Sequence, residues 1–137
     1  MKRIAVFFLA LMLMSMSVLS VSAAVVDPGE TAEPNWTNVR RFEFDLNYYE
    51  DTGYATATAV GFTGVTTGMA GTLEIYRYLN SEWVLVAQKS ALGTTSLMIE
   101  LEFRAYYYNR YKAVMTVDSY GIGGSEIASD YCIKMYR

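Results

Sequence analysis

Two pairs of carboxylates have a spacing that could support catalysis. Glu43 and Asp45 form one pair, and Glu100 and Glu102 form the other, with one residue between the members of each pair. On a β-strand this spacing places both carboxylates on one face, and glycoside hydrolysis uses two carboxyl groups roughly 5–10 Å apart. Apolar residues alternate with both pairs, so a solvated sheet face opposite the core is the favoured interpretation. A small hydrolase is the less favoured alternative.

The tripeptide Asp51-Thr52-Gly53 spells the Asp-Thr-Gly signature of aspartic proteases. In those proteases the aspartate follows an apolar strand and the glycine precedes a small residue. Here Tyr49-Glu50 precedes the tripeptide and Tyr54 follows it. The carboxylate of Glu50 would crowd a pair of carboxyl groups that must share one proton. The tripeptide is therefore predicted to form a turn between two strands.

The composition excludes several other kinds of site. The 137-residue chain has no histidine, which removes Ser-His-Asp and Cys-His catalysis and every histidine-ligated metal site. Its one cysteine, Cys132, cannot form an internal disulfide or a structural zinc site, but burial and an intermolecular disulfide both stay open. The segment Gly121-Ile122-Gly123-Gly124 is predicted to be a hairpin loop, since no helix follows it to hold a phosphate. We expect no catalytic residue, no metal and no cofactor.

Residues 1–24 have the pattern of a secretory signal peptide. Lys2 and Arg3 precede an unbroken apolar run over residues 4–13, and the stretch ends in the small residues Ala23-Ala24. The strongly apolar part is short for a span of about 30 Å. We therefore expect cleavage, release from the cell and no stable membrane insertion.

Residues 25–38 are predicted to form an extended leader, because they contain both prolines of the chain. Asn35-Trp36-Thr37 fits the N-glycosylation acceptor pattern, and whether it is used stays open. Without residues 1–24 the chain has nine basic and fourteen acidic residues, a net charge of −5. Such a charge argues against nucleic acid as a partner.

Residues 39–137 are predicted to form one β domain. In residues 41–48 apolar and polar residues alternate, which is the period of a half-buried strand. In residues 54–60 small residues alternate with threonine, which suits close packing of two sheets. Further strands are predicted over residues 72–79, 83–87, 97–104, 111–117 and about 126–136. Asn80-Ser81-Glu82 is predicted to close a hairpin between the first two of these strands, and the glycine-rich stretch over 61–71 is predicted to be an irregular edge or a short strand. Seven short strands favour a two-sheet antiparallel sandwich of the immunoglobulin-like or fibronectin type III kind, with a small open β-barrel as the alternative.

The chain from about residue 40 to residue 137 resembles small secreted immunoglobulin-like proteins of Gram-positive bacteria. These proteins commonly pair a tryptophan after a hairpin, here Trp83, with a Tyr-Arg-Tyr-like segment that enters the penultimate strand. The corresponding segment is Asn109-Arg110-Tyr111-Lys112-Ala113, followed by a glycine-rich turn and Ser125-Glu126. The resemblance implies a sandwich fold and an extracellular location, and it carries over no catalytic residue.

The twelve tyrosines are the one excess that suggests a function. Successive residues on a strand alternate between its faces, so at least one of Tyr106, Tyr107 and Tyr108 is expected to be exposed. Exposed aromatic rings with a polar tip supply binding area at low entropic cost. A tyrosine corner plus ordinary cross-strand aromatic pairs is the alternative interpretation. The candidate ligand contacts are Tyr106, Tyr107, Tyr108, Tyr48, Tyr49 and Trp36.

These observations together predict a secreted, non-enzymatic binding module. Its partner would be an extracellular glycan or protein. The alternative is a structural or self-associating extracellular subunit that pairs through an unprotected edge strand, at residues 126–136 or 40–49.

Overall fold

The computed structural model describes residues 35–137. The predicted signal peptide over residues 1–24, and the leader as far as residue 34, lie outside the described residues. The strands are β1 (Val39–Tyr49), β2 (Thr52–Gly61), β3 (Thr66–Leu79), β4 (Glu82–Gly93), β5 (Ser96–Arg104), β6 (Arg110–Gly121) and β7 (Gly124–Met135). Residues 35–137 include no helix that is long and apolar enough to cross a membrane.

The seven strands form two antiparallel sheets. One sheet has the strand order β1-β2-β5 and the other has the order β4-β3-β6-β7. The predicted two-sheet sandwich is therefore confirmed. In the constant-type immunoglobulin sandwich the fourth strand joins the sheet of the first, second and fifth strands. Here β4 pairs instead with β3, along a hairpin that extends from Leu79↔Glu82 to Met69↔Gly93.

The inner face of β2 consists entirely of small residues. They alternate along the strand and are all buried: Gly53, Ala55, Ala57, Ala59 and Gly61. The neighbouring strands supply the large side chains, including Leu46 from β1 and Ile99 and Phe103 from β5. The opposite sheet contributes the buried residues Leu73, Ile75, Tyr111, Met115 and Val117. The central strand of the first sheet thus provides space, and its neighbours fill that space.

The predicted start of the third strand at residue 72 was wrong, because β3 begins at Thr66. Residues 66–71 belong to β3, which pairs on one side with β4 and on the other with β6. Gly71 lies on the inner face, and a Cβ added there would lie 2.5 Å from Cδ2 of Leu97. The glycine therefore makes room for a core side chain from the other sheet. Strand β4 likewise extends beyond the predicted residue 87, because pairing with β3 continues to Gly93.

The predicted turns are confirmed in position, but the turn predicted over Asp51-Thr52-Gly53 is shorter, because Thr52 and Gly53 already pair within β2. Asp51 lies in the turn between β1 and β2, and Ile122-Gly123 connects β6 to β7. Asn80 and Ser81 connect β3 to β4 with φ angles of 49° and 68°. A two-residue hairpin with both residues left-handed matches the twist of the strands that it joins.

A lysine bridges the two sheets on each open side of the sandwich. On one side Nζ of Lys134, in β7, donates a hydrogen bond to the carbonyl of Leu46 in β1 at 2.6 Å. On the other side Nζ of Lys89, in β4, donates to the carbonyl of Glu100 in β5 at 3.0 Å. A charged side chain along an edge strand hinders pairing with another chain. On each side of the sandwich, a lysine of an edge strand therefore hinders pairing with another chain.

The start of β1 is held by the carboxylate of Glu126 in β7. Its Oε1 accepts the backbone N–H of Thr37 at 2.7 Å, and its Oε2 accepts that of Asn38 at 2.8 Å. The side-chain amide of Asn38 in turn donates to the carbonyl of Gly124 at 3.0 Å. Burial acts to raise the pKa of Glu126, but the hydrogen bonds from Thr37 and Asn38 outweigh it and lower the pKa below the ordinary value of 4.5.

Glu126→Gln should lower the free energy of unfolding by about 1–2 kcal/mol at neutral pH, because it removes charge-assisted hydrogen bonds. The folded-state pKa is lowered, so this stabilisation is present above the unfolded pKa and is lost as pH falls through the folded pKa. Urea unfolding at pH 7 and pH 3 measures the difference. A destabilisation equal at both pH values would contradict the role of the carboxylate charge.

Gly53→Ala should destabilise the fold by about 1–3 kcal/mol through overpacking. A Cβ at residue 53 would lie 2.2 Å from Cζ of Phe103, the buried residue paired with it across β2 and β5. Gly123→Ala is the matched control, since nothing lies within 4 Å of its Cβ position. That variant should change stability by less than about 0.5 kcal/mol in the same urea titration.

Candidate functional site

Three chain segments meet at one end of the sandwich, called here the tyrosine end. They are the turn Glu50–Asp51, the loop Ala105–Asn109 and the C-terminal residues Tyr136–Arg137. The backbone N–H of Ala105 donates to the carbonyl of Asp51 at 2.8 Å. The N–H of Tyr108 donates to the carbonyl of Tyr136 at 2.8 Å, and the N–H of Tyr136 donates to the carbonyl of Asn109 at 2.9 Å. Backbone hydrogen bonds therefore hold all three segments together.

The ring of Tyr136 organises this end. It stacks on Tyr48 with centroids 4.6 Å apart and an interplanar angle of 10°, and on Tyr107 at 4.2 Å and 25°. Its hydroxyl donates to the carbonyl of Glu50. The adjacent Tyr107 hydroxyl, burial and the nearby acidic side chains raise the pKa of Tyr136 to about 12. Burial, with smaller effects from Tyr111 and Cys132, raises the pKa of Tyr48. Both phenols are therefore neutral at physiological pH.

Four of the six candidate contact residues are exposed at this end. The exposed fractions of these residues are 68% for Tyr49, 44% for Tyr106, 57% for Tyr107 and 84% for Tyr108. The backbone of Tyr108 has a φ of 59°, which is uncommon for a bulky residue. Tyr48 is partly buried beneath them against Tyr136. It therefore supports the surface and contributes little to it.

A tyrosine corner coexists with the exposed tyrosines. The hydroxyl of the fully buried Tyr111, near the start of β6, accepts the backbone N–H of Tyr106 at 2.8 Å. This is the geometry in which a tyrosine pins the corner between two sheets of a sandwich. The two interpretations of the tyrosine excess thus apply to different residues, since Tyr111 is structural whereas Tyr107 and Tyr108 face solvent.

Two arginines lie close to the ring of Tyr106. The guanidinium carbon of Arg77 lies 4.8 Å from the ring centroid and that of Arg104 lies 5.7 Å from it. Both distances fall within the range of cation–π attraction. Nε of Arg77 is also the one buried side-chain nitrogen or oxygen among residues 35–137 that has no hydrogen-bond partner. The tyrosine end therefore combines aromatic rings with positive charge, within a chain whose net charge is negative.

Trp36 lies at the opposite end of the sandwich. Its ring packs edge-on against Phe42, with centroids 5.0 Å apart, next to the start of β1. An eleven-residue strand such as β1 is roughly 35 Å long. The sixth candidate is thus not brought together with the tyrosines.

The remaining residues considered for catalysis do not converge on an enclosed site. Glu100 and Glu102 line an open groove on the outer face of β2 and β5, together with Tyr54, Thr56 and Lys89, and Asp51 is not among its lining residues. Residues 35–137 contain no group of three His, Cys, Asp or Glu side chains arranged to hold a metal ion. Cys132 is partly buried against the core, and burial raises the pKa of its thiol.

Sequence reasoning missed a second aromatic cluster and the central role of Tyr136. The two-residue turn at Asn80-Ser81 places Tyr78 opposite Trp83, with ring centroids 5.0 Å apart. The register of that predicted hairpin would have revealed this pair. Tyr136 stacks on Tyr48, 88 residues earlier in the chain, and no local pattern indicates that contact.

No protein-family model and no curated protein sequence matches the chain. Among solved structures it is similar to the Escherichia coli curli protein CsgC, with 19% identity and a TM-score of 0.39 over 66% of this chain and 95% of that one. The sporulation control protein Spo0M of Bacillus subtilis has 15% identity and a TM-score of 0.38 over 74% of this chain. The match spans half of Spo0M. A protein from Archaeoglobus fulgidus has 6% identity and a TM-score of 0.40, covering 72% of this chain and 98% of that one.

None of these three is named as a small secreted immunoglobulin-like protein. The resemblance inferred from residues 40–137 therefore stays a prediction.

Tyr136→Ala should destabilise the protein by about 3–5 kcal/mol, because it removes a buried ring that stacks on two others. Tyr136→Phe keeps both stacked contacts and loses the hydroxyl bond to Glu50, so it should cost only about 1 kcal/mol. Guanidinium unfolding of the two variants measures the difference. Equal losses would show that the hydroxyl, and not the ring, holds the tyrosine end together.

Proposed function

We propose that this chain is a secreted, non-enzymatic binding module that contacts an extracellular glycan or protein through its tyrosine end. The main support is the concentration of four exposed rings, those of Tyr49, Tyr106, Tyr107 and Tyr108, on segments that converge at one end of a rigid sandwich. Rings of this kind bury large areas and carry a hydroxyl for hydrogen bonding. Tyrosine is enriched in binding loops for these reasons.

Preorganisation adds to this support. Tyr107 is more than half exposed, yet its ring stacks on the buried Tyr136. The side-chain amide of Asn109 donates to the carbonyl of Tyr107 at 3.0 Å, which restrains the loop from within. A side chain that is already ordered loses little entropy when a ligand binds. The fold therefore already restrains these side chains, and ligand binding loses correspondingly less conformational entropy.

The extracellular location rests on the signal-peptide pattern of residues 1–24 and on the family resemblance. The full-length gene, expressed in a secreting bacterial host, tests it. The protein should accumulate in the medium with a new N-terminus after Ala23 or Ala24. Retention in the cells with the original N-terminus would contradict export.

The secreted protein should bind a subset of extracellular ligands in a glycan array and in a pull-down from cell-surface extracts. A double variant, Tyr49→Ser with Tyr108→Asn, should weaken that binding about tenfold or more, since exposed tyrosines are frequent binding hot spots. Asparagine tolerates the left-handed backbone of residue 108, so the variant should keep the fold. Tyr120→Ser is the matched control, because Tyr120 is 46% exposed next to the β6–β7 hairpin, away from the tyrosine end. Equal loss in both variants would contradict the assignment.

A structural subunit is the second candidate. Strand β7 is an edge strand that exposes 74% of Ile127 and 44% of Ile133, and such an edge can template another strand. The bridge from Lys134 to β1 opposes this use, because it occupies the side on which a new strand would add. Light scattering over a hundredfold range of protein concentration separates the candidates, since a subunit would polymerise and a module would stay small.

A further inference from the structure

The outer face of the four-stranded sheet carries two parallel rows of side chains next to the β3–β4 turn. In each row an apolar residue of β4 is followed by a tyrosine of β3, a cation of β6 and an apolar residue of β7. The rows are Trp83, Tyr78, Arg110 and Met135, and Leu85, Tyr76, Lys112 and Ile133. The five residues Tyr76, Tyr78, Trp83, Arg110 and Lys112 are called the cationic strip. This surface lies on a face of the sheet and is distinct from the tyrosine end.

Lys112 is the most unusual residue of the strip. Only 8% of it is exposed, and its Nζ lies 4.7 Å from the ring centroid of Trp83 and 5.2 Å from that of Tyr76. Within the described chain it has no hydrogen-bond or ion-pair partner, and its ammonium is not among the fully buried polar atoms. The stem is therefore covered while the charged tip faces outward between two rings. Burial lowers the pKa of Lys112, as expected for an ammonium without a counter-ion.

The other charges on this face do not neutralise the strip. Arg110 lies over the ring of Tyr78 at 5.6 Å and forms no ion pair, since Arg41–Glu43 is the one salt bridge found in residues 35–137. The carboxylate of Glu74 accepts a hydrogen bond from the Tyr76 hydroxyl at 3.0 Å and lies beyond ion-pair distance of Lys112. Burial and this carboxylate raise the pKa of Tyr76 to about 12. Two cations thus remain without an acidic partner.

Apart from Lys112, since lysine is depleted in such places, the composition of the face resembles the centre of a protein–protein interface. Such centres are enriched in Tyr, Trp, Met and Arg, and Trp, Tyr and Arg are the most frequent hot spots. Around the two cations the exposed fractions are 44% for Leu85, 44% for Ile133 and 37% for Met135. These partly exposed aliphatic side chains favour a partner with apolar groups, such as a peptide, over a hydroxyl-rich sugar chain. A second copy in symmetric contact would place cations against cations, which is destabilising.

We propose that the cationic strip is a docking site for a segment of a partner protein in which acidic residues lie beside apolar ones. A glutamate or aspartate carboxylate of that segment accepts hydrogen bonds from Lys112 and Arg110. Its apolar neighbours cover Trp83, Leu85 and Ile133. Lys112 is already dehydrated along its stem and held between two rings, so a carboxylate gains a strong interaction there at little additional desolvation cost.

The test uses the secreted protein and two capped, fluorescein-labelled peptides. One peptide has two glutamates among leucines and serines, and its twin has glutamine in place of both glutamates. Fluorescence anisotropy measures binding at low and high salt. The acidic peptide should bind at least about tenfold more tightly than its twin, and high salt should remove most of that difference.

Variants assign the binding to the strip. Lys112→Met preserves the apolar stem of the side chain, and Arg110→Gln changes an exposed residue. Each variant should weaken binding of the acidic peptide about tenfold. Lys112→Arg keeps the positive charge and should retain most of the affinity. Arg41→Gln is the control, because it makes the same charge change on the outer face of the other sheet. Amide chemical-shift mapping should place the peptide on β3, β4 and β6. The tyrosine-end double variant should bind the peptide normally.

Several results would overturn the proposal. They are equal binding of the two peptides, absence of binding to both, or an equal effect of Arg41→Gln and Lys112→Met. Polyguluronate, a chain of uronic acids, is tested in parallel. If it binds in a Lys112-dependent manner while the acidic peptide does not, the ligand of the strip is an acidic glycan and the protein-segment proposal fails.

Discussion

The whole sandwich depends on the small residues that line the inner face of β2. Glycine or alanine occupies every inward position of this central strand from Gly53 to Gly61, and all five are buried. Large residues of β1 and β5 can therefore reach across it, as Phe103 does over Gly53. The second sheet then packs Leu73, Ile75 and Met115 against the same layer. Bulky residues on β2 would push the sheets apart and leave cavities beside β1 and β5.

The end of this packed core next to Glu50 and Ala105 determines which tyrosines are buried and which are exposed. It is closed by aromatic side chains and by residues 136–137, which backbone hydrogen bonds hold in place. Tyr48, Tyr111 and Tyr136 close it from within, and the exposed Tyr107 stacks on Tyr136. The inner rings stabilise the fold, and the outer rings form the proposed binding surface. Tyr107 thus connects the proposed binding surface to the stabilising inner rings by direct stacking on Tyr136.

The basic residues on the remaining surface fall into two groups, according to whether they lie at a sheet edge or on a sheet face. Lys89 and Lys134 are used to bridge the two open sides of the sandwich, where their ammonium groups donate to backbone carbonyls. Arg110 and Lys112, in contrast, project from a sheet face among aromatic rings and have no acidic partner within the described residues. Lysines at the edges limit strand addition, whereas cations on a face attract an acidic ligand. A lysine at a sheet edge therefore opposes contact with another chain, whereas a lysine on a sheet face favours contact with an acidic ligand.

The sequence by itself determined the local features of this protein. Strict alternation over residues 41–48 predicted which side of β1 is buried, and Asn80-Ser81 and the glycines at 121–124 predicted the turns, because strand period and turn geometry are set by neighbouring residues. It also predicted that Tyr106–Tyr108 could not all be buried, but the expected reason, alternation along a strand, was wrong, because all three lie exposed in the loop between β5 and β6. Only the tertiary structure decided that Tyr136 stacks on Tyr48, that Trp36 lies at the other end, and that Lys112 sits between Trp83 and Tyr76. Those contacts join residues far apart in the chain, and they form only when the pairing and stacking of whole sheets bring the residues together.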